Sequence, residues 1–70
     1  MSIRQLLDYG IEIQGTYRIK IWSDKEEEYI EVADGKDFEI EHYKLKEEYK
    51  NATITYIYCA DNELVIEIEI

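Results

Sequence analysis

Between Ile11 and Ile21 the side chains alternate with a period of two. Ile11, Ile13, Tyr17, Ile19 and Ile21 fall on one side, and Glu12, Gln14, Thr16, Arg18 and Lys20 on the other. Such alternation puts one face on a core and leaves the other to water, so it predicts a half-buried strand and excludes an amphipathic helix here. Gly15 marks a bend or bulge within it. The pattern returns at the end of the chain, with Leu64, Ile66, Ile68 and Ile70 inward and Glu67 and Glu69 outward. A chain of 70 residues built on such strands has room for one small core and one domain. Neither a Pro/Gly/Ser-rich linker nor an internal repeat suggests a boundary within residues 1–70.

The remaining segments follow from local signals. Ser2 with Gln5 fits a capping box, and Ile3, Leu6 and Leu7 then share a helical face, so a short helix is expected from Ile3 to Tyr9 with Gly10 just past its end. A second strand carries Ile30 and Val32 inward. For Ile21 and Ile30 to share a face, Trp22 must oppose Tyr29 and Lys20 must oppose Glu31, which leaves Asp24 to Glu27 as the hairpin loop. Asp34-Gly35-Lys36-Asp37 reads as a turn, and Phe38 and Ile40 as a third, short strand. Tyr43 to Lys50 is helical in pattern, with Leu45 and Tyr49 four apart and Asn51 as a stop.

Thr53 to Cys59 and Leu64 to Ile70 flank Asp61-Asn62 as a closing hairpin. A two- or four-residue loop would turn Ile57 and Cys59 inward, and a three-residue loop would turn Ile54, Tyr56 and Tyr58 inward. The expected class is a β-rich α+β domain of about five antiparallel strands, with a short N-terminal helix and a short helix before the last hairpin. Strand order from Ile11 onward resembles the small OB-like barrel, and an open sheet covered by the first helix is the competing arrangement.

Catalytic chemistry is sparse. His42 and Cys59 are the only residues of their kinds, lie on different predicted elements and have no activating motif around them. Cys59 reads as a small core residue, and His42 as a surface residue among Glu39, Glu41 and Lys44. Carboxylates are abundant, but general acid catalysis needs one held in a pocket that raises its pKa, and nothing in the sequence marks such a pocket. Asp34 to Asp37 lacks the ligand spacing of a calcium loop, and Cys59 with His42 supplies at most two zinc ligands. Gly10, Gly15 and Gly35 stand apart, far from any phosphate-cradling spacing. We therefore expect no enzyme activity, no cofactor and no dedicated metal.

Charge is the strongest functional signal. Seventeen acids against eight bases give −9, which disfavours a nucleic-acid backbone as a direct partner. The acids are concentrated: Met1 to Ser23 holds two against three bases, Asp24 to Lys50 eleven against five, and Asn51 to Ile70 four against none. Isoleucine and tyrosine content argues for an ordered domain rather than a disordered acidic chain. The longest uninterrupted apolar run, Tyr56 to Ala60, is too short to span a bilayer, and Ser2-Ile3-Arg4-Gln5 interrupts any signal-peptide pattern. One cysteine allows no internal disulfide, so a cytoplasmic, reducing compartment is expected.

Of the seven tyrosines, Tyr17 and Tyr49 lie on core faces. Trp22 and Tyr29 form an expected exposed pair, and Tyr56 or Tyr58 lies beside Glu67. Aromatic platforms bind single-stranded nucleic acid when basic grooves accompany them; acids accompany these, as at a protein interface. In size, charge and lack of catalytic motif the chain resembles the small acidic anti-restriction and anti-CRISPR proteins of phages and mobile elements. That resemblance implies an inhibitor or decoy occupying the basic nucleic-acid-binding surface of a host nuclease. Its partner-binding residues would be Trp22, Glu26, Glu27, Glu28, Tyr29, Glu31, Asp34, Asp37, Glu39 and Glu41, the carboxylates standing in for phosphates. The alternative is a structural or assembly module, homo-oligomeric through exposed aromatics or an unpaired edge on the last strand, Ile68-Glu69-Ile70.

Overall fold

A computed structural model describes residues 1–70, Glu39 through its backbone alone. The elements run α1 (Ile3–Asp8), β1 (Thr16–Ser23), β2 (Glu28–Lys36), α2 (Phe38–Glu41), a 3₁₀ turn at His42–Lys44, α3 (Glu47–Lys50), β3 (Thr53–Ala60) and β4 (Glu63–Glu69). The class is β-rich α+β, and four strands form one open sheet in the order β2-β1-β4-β3. No helix is long and apolar enough to cross a membrane.

The two hairpins form as the cross-strand pairing demands. In the first, Ile21 faces Ile30, Trp22 faces Tyr29 and Lys20 faces Glu31 around a turn at residues 24–27. In the second, Asp61 and Asn62 both have positive φ, 53° and 62°, the backbone that a two-residue hairpin turn needs and that Asp and Asn tolerate. Cys59 therefore opposes Leu64 and Ile57 opposes Ile66. A bulge between Ile54 and Tyr56 shifts the pleat by one, so Ile54 joins the same inner face opposite Ile68. The inner face of β3 thus carries Ile54, Ile57 and Cys59, while Tyr56 and Tyr58 turn to the other side.

Several expectations are corrected. The strands number four, because Phe38 and Ile40 sit in α2: a three-residue alternation is too short to separate strand from helix. Asp34-Gly35-Lys36 is not a turn but the end of β2. A bulge at Val32 resets the register, so Ala33 and Gly35 lie opposite Ile19 and Tyr17. Chain reversal falls instead on Asp37, at φ 56°, whose Oδ1 accepts from the Gly15 N–H at 2.7 Å while its own N–H donates to the Gly15 carbonyl at 2.9 Å. Residues 11–14 are irregular rather than strand, since Gly15 at φ 80° breaks the run before Thr16. The sheet is not wholly antiparallel: β1 and β4 pair in parallel, Tyr17 with Leu64 through Ile21 with Ile68. With β2 and β3 at the two edges, it does not close into a barrel, and the last strand lies inside the sheet instead of offering an edge.

The helices cover one face only. Ile3, Phe38, Leu45 and Ala52 pack with Tyr17, Ile19, Ile21, Ile66 and Ile68. Phe38 meets Tyr17 edge-on, with ring centroids 5.0 Å apart. The capping box of α1 is complete, Gln5 N–H to Ser2 Oγ at 3.2 Å and Ser2 N–H to Gln5 Oε1 at 2.9 Å. A six-residue helix is too short to persist alone, so α1 depends on burying Ile3 and Leu6. Arg4 pairs with Glu47, which also lies 3.4 Å from the buried Lys50 Nζ, and this tie joins α1 to α3.

Candidate protein-binding face

The pleat that buries Tyr17, Ile19 and Ile21 turns their neighbours to the side without helices. Arg18, Lys20 and Trp22 of β1 face that way, with Tyr29 and Glu31 of β2, Val65 and Glu67 of β4, and Tyr56 and Tyr58 of β3. Trp22 and Tyr29 meet edge-on at 5.2 Å, and Tyr29 and Tyr56 at 6.3 Å. Tyr29 Oη lies 2.9 Å from Thr55 Oγ1, which in turn donates to the Glu67 carbonyl at 3.0 Å. Tyr29 is on one edge strand and Thr55 on the other, three strand spacings or roughly 14 Å apart in a flat sheet. The contact therefore requires the sheet to curl toward this face, with the tyrosine as a strap across it.

Polar groups on the face are mostly matched. Tyr58 Oη donates to Glu67 Oε2 at 3.1 Å, and Glu67 is only 9% exposed. Desolvation and that hydrogen bond both push the Tyr58 phenol above its usual pKa. Arg18 Nε lies 3.0 Å from Glu31 and its Nη2 3.4 Å from Glu63, one guanidinium bridging three strands.

The expected partner-binding residues separate into groups. Trp22 and Tyr29 lie together as a half-buried pair. Asp24, Glu26, Glu27 and Glu28 crowd the adjoining hairpin tip, all exposed; Asp24 accepts from Trp22 Nε1 at 2.8 Å. Among the described residues, Glu26, Glu27, Glu28 and Asp34 enter no ion pair. Glu31 is held by Arg18. Asp37 and Glu41 lie elsewhere and are engaged in the fold: Asp37 clamps Gly15, and Glu41 accepts from Tyr17 Oη, from the Lys36 N–H and from Lys44 Nζ. The Lys44 ammonium, first, and the Lys36 amide hold the Glu41 carboxyl below the ordinary glutamate range. The Glu39 side chain lies outside the described residues. Lys20, Thr55, Tyr58 and Glu67 complete the face. Thr55 carried no signal in the sequence, because its role arises from a bulge.

The helix side contains an apolar groove of about 700 Å³ between the 11–14 segment and the second hairpin, lined by Leu6, Ile11, Ile13, Ile57, Cys59, Leu64 and Ile66. Cys59 is exposed there rather than in the core, because β3 is an edge that the short helices do not reach. His42 does not line this groove; it is half-buried, edge-on to Phe38 at 6.5 Å, and its Nδ1 has no hydrogen-bond partner among the described residues. Among the described residues, the only charged groups of the groove are Glu12 and Glu63, and no three His, Cys, Asp or Glu side chains gather as metal ligands. Comparison with protein-family models, with curated proteins and with solved structures finds no match.

Proposed function

We propose that this protein is a non-catalytic binding module that lays its aromatic sheet face and acidic hairpin tip on a basic surface of another protein. The observation that carries this reading is the juxtaposition of Trp22, Tyr29 and Tyr56, rings in edge-to-face contact, with the unpaired carboxylates of Glu26, Glu27 and Glu28. Tyrosine and tryptophan supply rigid contact area, and their ring faces attract arginine and lysine. The carboxylates supply the complementary field, which speeds encounter and selects a cationic partner. A surface evolved to hold phosphates presents that chemistry, so we place a nucleic-acid-handling enzyme first among partners, with this chain as its inhibitor or decoy.

The test is affinity capture from the native cell with identification of the eluted protein, followed by binding measurements across salt concentration and with Glu26→Lys/Glu27→Lys/Glu28→Lys. The reading expects affinity to fall steeply with salt, the triple variant to bind at least tenfold more weakly, and nucleic acid to compete for the partner. A partner held equally well in high salt, or indifferent to the charge reversal, would exclude phosphate mimicry.

A further inference from the structure

The two edges of the sheet are treated differently. Edge strands expose unpaired N–H and C=O groups, and proteins usually protect them with charges or bulges. Strand β2 has both protections: Glu28, Glu31, Asp34 and Lys36 along its length and a bulge at Val32. Strand β3, Thr53–Ala60, carries no charged residue and no proline. Its first residues are covered by the N-terminus, through the Ser2–Thr53 bridge and the Ile54 N–H to Met1 carbonyl bond of 2.7 Å. Beyond Thr55 no described strand pairs with its outer edge, and Tyr56 to Ala60 are all exposed, with Tyr56 at 60%, Ile57 at 52% and Tyr58 at 39%. Both sides of the strand are open: Tyr56 and Tyr58 on the curled face, Ile57 and Cys59 beside the apolar groove.

From this we infer that β3 is a homodimer interface, in which a second copy adds its own β3 antiparallel to the first and joins the two sheets into one of eight strands. The charge pattern selects the occupant. Two molecules each carrying −9 repel across most of their surfaces, and an uncharged strand is where a second copy approaches with no like charges directly opposed. A two-fold axis through the strand sets uncharged residues against uncharged residues, so the patch is self-complementary as an isologous interface requires. A basic partner, by contrast, finds no acid on this strand to recognise. Pairing satisfies the outward backbone groups of both edges and sets the two apolar grooves beside each other, each adding Ile57 and Cys59 to the seam.

Dimerisation also makes a salt prediction opposite in sign to that of the acidic face, which keeps the two proposals separable. Screening relieves repulsion between like-charged copies, so the dimer should tighten as salt rises from about 0.15 M to about 1 M and the Debye length falls from about 8 Å to about 3 Å. Sedimentation velocity on the full chain, reduced and across micromolar to millimolar concentration, measures this. We expect a monomer–dimer equilibrium whose dissociation constant falls with salt. Ile57→Lys is expected to weaken the dimer at least tenfold even though it lowers the net repulsion, because it sets two ammonium groups at the seam. Ile30→Lys on the opposite edge makes the same change in net charge and should leave the dimer intact. Circular dichroism of both variants verifies that each remains folded. A monomer at every concentration and salt would overturn the inference, as would a dimer that survives Ile57→Lys or one that Ile30→Lys abolishes.

Discussion

The carboxylate of Glu41 rests directly on the backbone of Gly35. A Cβ at Gly35 would overlap Glu41 Oε1 and stand 2.9 Å from Tyr17 Oη, so a side chain enters here only by displacing the Glu41 carboxylate from the groups it binds. Gly35→Ala is expected to destabilise the fold by about 1–3 kcal/mol, the usual cost of overpacking, read as a lower urea midpoint. In a Glu41→Ala background the same substitution should cost less, because part of its obstacle is gone. Equal costs in the two backgrounds would show that the carboxylate is not what Gly35 accommodates.

The same carboxylate sets an acid limb. Its folded pKa lies below the ordinary 4.5, mainly through Lys44 and the Lys36 amide. The unfolded chain therefore takes up the proton first, and the stabilisation is complete above the ordinary value. It is lost as pH falls from 4.5 through the lowered folded value. Glu47, lowered by Arg4, acts in the same direction. Urea titrations from neutral pH into this range should show stability declining, and Glu41→Gln should flatten part of the decline. An unchanged slope in that variant would assign the acid sensitivity elsewhere.

Tyr17 sets an alkaline limb of opposite sign. Burial, then the hydrogen bond to Glu41, pushes its phenol from 10.0 up to about 12. Between those values the unfolded chain has released a proton that the folded chain retains, so stability falls as pH rises. Spectrophotometric titration should show Tyr17 ionising late or only with unfolding, with Tyr58 also above the ordinary range, and Tyr17→Phe should remove the latest phase. Ionisation of all tyrosines together, with the fold intact, would contradict the Tyr17–Glu41 contact.

Tyr29 is testable as a strap. Tyr29→Phe keeps the rings against Trp22 and Tyr56 and deletes only the Thr55 bond, for an expected loss of about 0.5–1.5 kcal/mol. Tyr29→Ala removes the edge-to-face contact as well and should shift the emission of Trp22, the only tryptophan. If the emission stays unchanged, the two rings are not in contact in solution.

Phe38 is 1% exposed and fills the space under Tyr17. Phe38→Ala should cost about 3–5 kcal/mol. That is the whole margin of a core this small, so loss of cooperative thermal unfolding is the expected result. Phe38→Leu, which retains most of the volume, should remain folded with a lowered midpoint.

Much of the architecture is legible in the residues because local and cross-strand signals agree. Trp22 with Tyr29, Lys20 with Glu31 and Asp24–Glu27 specify the first hairpin from hydrophobic phase and charge together, and Ser2 with Gln5 marks the first helix. Misreadings fall where backbone irregularity intervenes. The bulges at Val32 and Thr55 change which residues face inward without leaving a residue type that announces them. The β1–β4 pairing joins residues nearly fifty positions apart, a contact that no local pattern encodes. For the candidate face, the aromatic pair and the acidic tip are readable. The internal duties of Asp37 and Glu41, and the Thr55 anchor, depended on three-dimensional proximity alone.

The parallel seam has a consequence for how the molecule comes into being. Each hairpin is local and can zip early, but Ile19 and Ile21 gain their Ile66 and Ile68 neighbours only after the last strand has been synthesised. During translation the first hairpin has that side bare, so docking of β4 along β1 is expected to be a late event in folding. Folding speed should then be governed by the stretch that connects them, residues 37–52, more than by either turn.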